Sequence, residues 1–194
     1  MEHVNIKIFT SADSSNLRLA DAIPVFHRWI QSRDLPELLI DVADYSHVPS
    51  GPGVLLIGHE ANYALDNARN RPGFLYSRKA ADGASASESL QRAYDSALSA
   101  SRRLETEPEF HGKLKFNPDE LEITLNDRLL YPNTEEGWKS VEPALTAFLD
   151  GLYGAGAYSV MRPTDARERL SVLVVGRTSR SARGLQAPPA PHQA

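Results

Sequence analysis

Apolar and polar positions alternate through residues 4–10, where Ile6, Ile8 and Phe9 stand among Asn5 and Lys7, and this two-residue period predicts a first strand. A polar, turn-rich stretch follows over residues 11–16. Leu19, Ile23, Phe26 and Ile30 then recur at spacings of three and four, which predicts a helix with His27, Arg28 and Gln31 on its far side. Residues 38–42 and 54–57 are short apolar runs separated by the proline- and glycine-rich residues 46–53, so two strands are expected to flank a loop. Alternation continues through His59, Ala61, Tyr63 and Leu65. The reading is one long strand that turns over residues 66–71 and returns over residues 73–78, an antiparallel meander.

The second half opens on the clearest helix. Ser85 and Glu88 have the spacing of a capping box, and Leu90, Ala93, Tyr94, Ala97, Leu98, Ser101 and Leu104 form one stripe at helical period. Residues 114–116 and 121–125 flank Asn117, Pro118, Asp119 and Glu120, whose turn chemistry predicts a hairpin. Thr134 is placed to cap a helix with Glu135 and Glu136 in its first turn, and Pro143 either splits that helix or starts its main part. Residues 158–161 and 170–175 pair as a last hairpin across residues 163–166. The whole predicts an α+β fold, mostly antiparallel sheet with about three helices on one face.

A strand, a helix and two strands near the N-terminus recur in the same order about 120 residues later. Ile23-Pro24-Val25-Phe26 in the first helix answers Pro143-Ala144-Leu145 in the second. A proline at one place in both helices suggests a shared start geometry, because the ring is tolerated in a first turn and disruptive beyond it. A duplicated βαββ unit explains the match; so does chance alternation of strands and helices.

Composition bounds the class. A chain of 194 residues with 41% hydrophobic side chains can bury a core without staples, and it has no cysteine, which removes disulfides, thiolate metal sites and cysteine nucleophiles. Residues 1–9 lack a basic start followed by a long apolar core, and no apolar run approaches the roughly 20 residues that span a bilayer. A cytoplasmic protein without membrane insertion is expected. Residues 1–176 are read as a single domain, and 177–194 as a disordered tail rich in Arg, Pro and Ala. Setting aside Arg177, Arg180 and Arg183 leaves 18 basic against 25 acidic residues in the body, so nucleic acid is an unlikely partner.

Candidate chemistry gathers in residues 41–66, where Asp41, Asp44, His47, His59, Glu60 and Asp66 flank the proline-glycine loop. Converging, they would bind a divalent metal or supply an acid and a base. His59-Glu60-Ala61-Asn62-Tyr63 lacks the second histidine of a zinc-protease motif, and neighbouring strand residues face opposite ways, so neither a metal nor another cofactor is expected. Gly51-Pro52-Gly53 precedes a strand instead of opening a helix, which makes it a turn and not a phosphate loop. Arg128, beside Asp127 and ahead of the Asn133-Thr134 helix start, is a candidate anion ligand. Phe74 and Tyr76 are read as an aromatic docking strand at a sheet edge, and the tail arginines Arg177, Arg180 and Arg183 as a second interaction element.

Residues 36–79, with Leu39-Ile40-Asp41-Val42-Ala43-Asp44-Tyr45, Gly51-Pro52-Gly53, Gly58-His59-Glu60 and Tyr76-Ser77-Arg78-Lys79, together with Asn126-Asp127-Arg128-Leu129 and Pro132-Asn133-Thr134, resemble a group of uncharacterised bacterial proteins of similar length. The resemblance implies a soluble bacterial protein and nothing about activity. Two functions are therefore expected: a non-catalytic accessory protein docking onto a larger protein partner, or a small-molecule-binding protein or enzyme built on residues 41–66.

Overall fold

A computed structural model describes residues 3–177 except 13, 15, 16, 34, 81 and 82. Eight strands form one antiparallel sheet: β1 (Val4–Thr10), β2 (Leu39–Tyr45), β3 (Gly53–Gly58), β4 (Ala61–Asp66), β5 (Gly73–Arg78), β6 (Phe116–Leu125), β7 (Tyr158–Met161) and β8 (Ser171–Gly176). Their spatial order is β2-β3-β4-β5-β1-β6-β8-β7, so the first strand is central and β2 and β7 are the edges. Three helices, α1 (Ala22–Ser32), α2 (Ala86–Thr106) and α3 (Glu135–Tyr153), complete the α+β fold.

Pleat alternation divides the sheet into two unlike faces. Val54, Leu65, Phe74, Ile8, Leu121 and Val174 form one cross-strand row and Leu56, Tyr63, Tyr76, Ile6, Ile123 and Val172 the next, and every one of these side chains is buried. Helix α2 packs over β1, β5 and β6, α1 over β2 and β3, and α3 beside α2. The α1 face that goes inward is Ala22, Val25, Phe26 and Trp29, with Ile23 and Ile30 only partly covered at its flanks. Both halves of the Ser85–Glu88 capping box are formed, and the Thr134 hydroxyl accepts from the Gly137 amide.

Three expectations change. The long strand over residues 54–65 is broken by a tight turn at His59 and Glu60, giving β3 and β4 as a hairpin. Asn117 to Glu120 do not turn the chain: Ile8 faces Leu121 but Thr10 faces Phe116, so these four residues bulge opposite Phe9 inside one continuous strand, with the Asn117 side chain accepting from the Asp119 amide. Turn chemistry satisfies a bulge as well as a hairpin, so the same four residues are compatible with either. The third concerns the repeat. Element order recurs, but β8 pairs directly with β6 whereas β4 and β5 intervene between β3 and β1, and Pro24 lies in the first turn of α1 while Pro143 lies deep inside α3. The shared start geometry is absent.

Candidate functional site

The face of the sheet opposite the helices is polar. Ser77, Asn5, Thr124 and Ser171 form one cross-strand row, and Leu75, Lys7, Glu122 and Leu173 the row beside it. All of these but Leu173 floor an open cleft of about 600 Å³, walled by Ser50, Gly51 and Pro52 from the β2–β3 loop, Ala68 and Arg69 from the β4–β5 loop, Arg167, Glu168 and Arg169 from the β7–β8 loop, and Arg128 after β6. That volume falls in the range of small-molecule sites.

Lys7 and Asp66 form an ion pair at the cleft floor, with both residues only 3% exposed. Two features of the local chain make the burial workable. Asp66 Oδ2 also accepts from the Ala68 amide, and Gly73, opposite Phe9 on the neighbouring strand, leaves the space that the Lys7 methylenes fill; a Cβ there would lie 2.7 Å from Lys7 Cε. Asp66 Oδ1 has no hydrogen-bond partner among the described residues. Gly53 holds the adjoining wall. Its φ of +69° and a would-be Cβ 2.0 Å from the Leu65 carbonyl oxygen exclude any side chain where β3 begins against the end of β4.

Charge in the cleft is asymmetric. At one end Arg69 donates to Glu122 at 3.0 Å and to Glu168 at 3.3 Å, closing a bridge between two loops and β6. At the other, Arg169 donates to Asn126 Oδ1 at 2.5 Å, Asn126 donates to Asn5 Oδ1 at 2.6 Å, and Ser77 donates to the same oxygen at 2.8 Å. Arg169 has no acidic partner there, and Arg128 has neither an ion pair nor a hydrogen bond among the described residues. Arg167 is held by its neighbour Asp165. The lining thus carries five cations, Lys7, Arg69, Arg128, Arg167 and Arg169, against Asp66, Glu122 and Glu168, in a chain of formal net charge −4.

Backbone strain collects at the same place. Ser50, Arg69 and Asn70 have φ of +52°, +59° and +55°, a left-handed conformation uncommon for residues with side chains, and the Ser50 hydroxyl ties the two loops together by donating to Asn70 Oδ1 at 2.7 Å. Strain of this kind costs on the order of 1 kcal/mol or more per residue and concentrates at ligand-binding loops.

The residues expected to act together from 41–66 do not converge. Asp44 and His47 are exposed at the β2–β3 end, and His59 and Glu60 are exposed in the β3–β4 turn at the other end of β3, about 17 Å away at the rise of a strand. The Asp44 carboxylate is already engaged: it accepts from the Ser46 amide at 2.8 Å, and bonds from the Ser46 hydroxyl and amide hold its pKa below the usual value. Among the described residues no group of three His, Asp or Glu side chains is placed to hold a metal ion. Of the predicted candidates only Arg128, together with Asp66 from the same stretch, borders the cleft.

Phe74 and Tyr76 are corrected more sharply. They are 0% and 1% exposed, because β5 lies between β4 and β1 and both rings point under α2 into a cluster with Tyr63 and Phe116. The Tyr76 and Tyr63 hydroxyls both donate to Glu37 Oε1; burial first and then the Glu37 charge push the Tyr76 phenol up to about 12 and Tyr63 upward in the same direction. Arg177 is exposed, and Arg180 and Arg183 lie outside the described residues.

Lys7, Arg69, Glu122, Arg167 and Arg169 are cleft residues that residue-by-residue reading passed over. The available signal was the partner face of the alternation: Asn5, Lys7, Glu122, Thr124 and Ser171 all fall between buried apolar neighbours, and three helices on one side leave that polar face uncovered. No protein-family model matches this chain, and no curated protein matches it at a significant level.

Proposed function

We propose that this protein binds a small anionic molecule in the helix-free cleft. The observation that carries the reading is Arg128, a guanidinium without a partner among the described residues, set with Arg169 over a floor of hydroxyl and amide side chains in an otherwise acidic protein. Guanidinium groups are the favoured donors for carboxylate and phosphate, and two of them left without acids are charge in excess of what the fold consumes. The strained loops on the facing wall are consistent with a site kept in shape for a ligand.

Thermal unfolding of the full chain at constant ionic strength, with inorganic phosphate, sulfate or acetate varied against chloride, tests the reading. A ligand that binds only the folded chain raises the melting temperature in proportion to the logarithm of its concentration, by the equivalent of about 2.7 kcal/mol at a hundred times its Kd. The expected result is such a rise with at least one anion, lost in Arg128→Ala; no rise with any of them rejects it.

A second reading keeps the accessory role and moves its surface. Leu129 is 95% exposed and Leu130 59%, on a turn fixed by the Asp127 carboxylate, which accepts from both leucine amides at 3.0 Å. Two apolar side chains displayed on a pre-formed turn offer an anchor to a protein partner. Leu129→Ser with Leu130→Ser should leave circular dichroism intact and abolish co-purification of that partner. Co-purification that survives the double variant removes this surface from consideration.

A further inference from the structure

We infer that the ligand is a polyhydroxylated acid: a phosphate or carboxylate head on a short hydroxyl-bearing carbon chain. The inference rests on the anion-binding reading and specifies its substrate class. The cleft has two chemically different ends on adjacent rows of the same strands. Its head end holds Arg128 and Arg169, the two cations without acidic partners, above Thr124, Asn5, Asn126 and Ser77. A single anionic group is satisfied there by guanidinium N–H donors, with the Thr124 hydroxyl, which takes part in no hydrogen bond among the described residues, available as a further donor.

The other end offers acceptors. Asp66 Oδ1 is unused, and Glu122 commits Oε1 to Arg69 and leaves Oε2 open, so two carboxylate oxygens border a space in which the neighbouring cations, Lys7 and Arg69, are already paired. A second anion is repelled from that end, and an apolar tail finds only Leu75, Pro52 and Ala68. Hydroxyl groups fit both the carboxylate acceptors and the charge. Among the described residues no aromatic ring lines the cleft, so none of them offers a stacking surface for a nucleobase. From Thr124 at the head end to Glu122 at the other is two residues along β6, about 7 Å at strand rise, a reach that suits a short hydroxyl-bearing chain.

Calorimetric titration of the full chain separates the possibilities. The probes are inorganic phosphate alone; glycerol 3-phosphate, ribose 5-phosphate and glucose 6-phosphate as phosphorylated polyols; glycerate and gluconate as their carboxylated counterparts; glucose as an uncharged control; and adenosine monophosphate. At least one polyol acid should bind ten-fold or more tighter than inorganic phosphate, glucose should not bind measurably, and the phosphate and carboxylate arms decide which head the site takes. Arg128→Ala should weaken the best polyol acid at least ten-fold, whereas Glu122→Gln should narrow its advantage over inorganic phosphate. If every polyol acid binds no tighter than phosphate, or if adenosine monophosphate binds tighter than all of them, the ligand class is wrong while the anion site stands. If phosphate and every acid fail to bind, the anion-binding reading falls with it.

Discussion

At the scale of single residues, the pair Lys7–Asp66 carries the largest stake. Both charges are out of water, so removing one strands the other, at a cost of about 3–5 kcal/mol. Lys7→Met and Asp66→Asn are each expected to lose stability of that order in urea unfolding, and the double variant to recover most of it; strictly additive losses would mean that the pair is not the unit of stability. Glu105 gives the opposite kind of prediction. Burial raises its carboxyl pKa although the Phe116 amide donates to it at 2.6 Å. The folded state then binds the proton more tightly than the unfolded chain, and stability falls as pH rises from the ordinary glutamate value of about 4.3 through the raised one. Glu105→Gln keeps an acceptor for the amide and removes the charge. It should flatten that part of the stability-pH curve and leave the protein no less stable at neutral pH. A variant with the same slope as the parent would place the titration elsewhere.

Among the elements, α3 contains a defect that invites repair. Pro143 is exposed in mid-helix, between Val141 and Leu145, which are buried, and its ring removes the hydrogen bond that its backbone nitrogen would make one turn back. Pro143→Ala is expected to raise stability by about 1–3 kcal/mol in urea unfolding, since no buried contact changes. A loss would show that the interruption is required for how α3 seats beside α2. Elements were legible in the sequence wherever one local signal sufficed: the Ser85–Glu88 box, the return strand after the 66–71 turn, the last hairpin. They were misread where one signal serves two structures. Asn117-Pro118-Asp119-Glu120 suits a bulge and a turn equally, and the alternation through His59 runs unbroken across a hairpin whose two turn residues happen to keep the period. The cleft was legible only in Arg128 and Asp66. Its other members, Lys7, Arg69, Glu122, Arg167 and Arg169, come from four separate segments that only sheet register brings together, and Phe74 and Tyr76 looked like an edge because chain order does not reveal that β1 closes over β5.

For the molecule as a whole, the buried apolar side chains among the described residues all lie between Val4 and Val174. A chain ending at Arg177 should therefore melt within about 5 °C of the full chain in a cooperative transition; a larger drop would assign residues beyond 177 a packing role worth on the order of 1 kcal/mol or more. Among the described residues no helix is long and apolar enough to cross a membrane. The central place of β1 has a different consequence, in the order of events during synthesis. The strand made first is the one that needs the most of the chain still to come: Ile6 meets Tyr76 on one side and Ile123 on the other, and without β1 the sheet separates into a β2–β5 half and a β6–β8–β7 half. Such distant pairings slow folding, because long loops must close before the contacts reward them. A nascent chain thus carries a strand of Val4, Ile6, Ile8 and Phe9 with both edges bare until β5 has left the ribosome and one edge bare until β6 follows, which makes β1 the natural point of engagement for a holding chaperone.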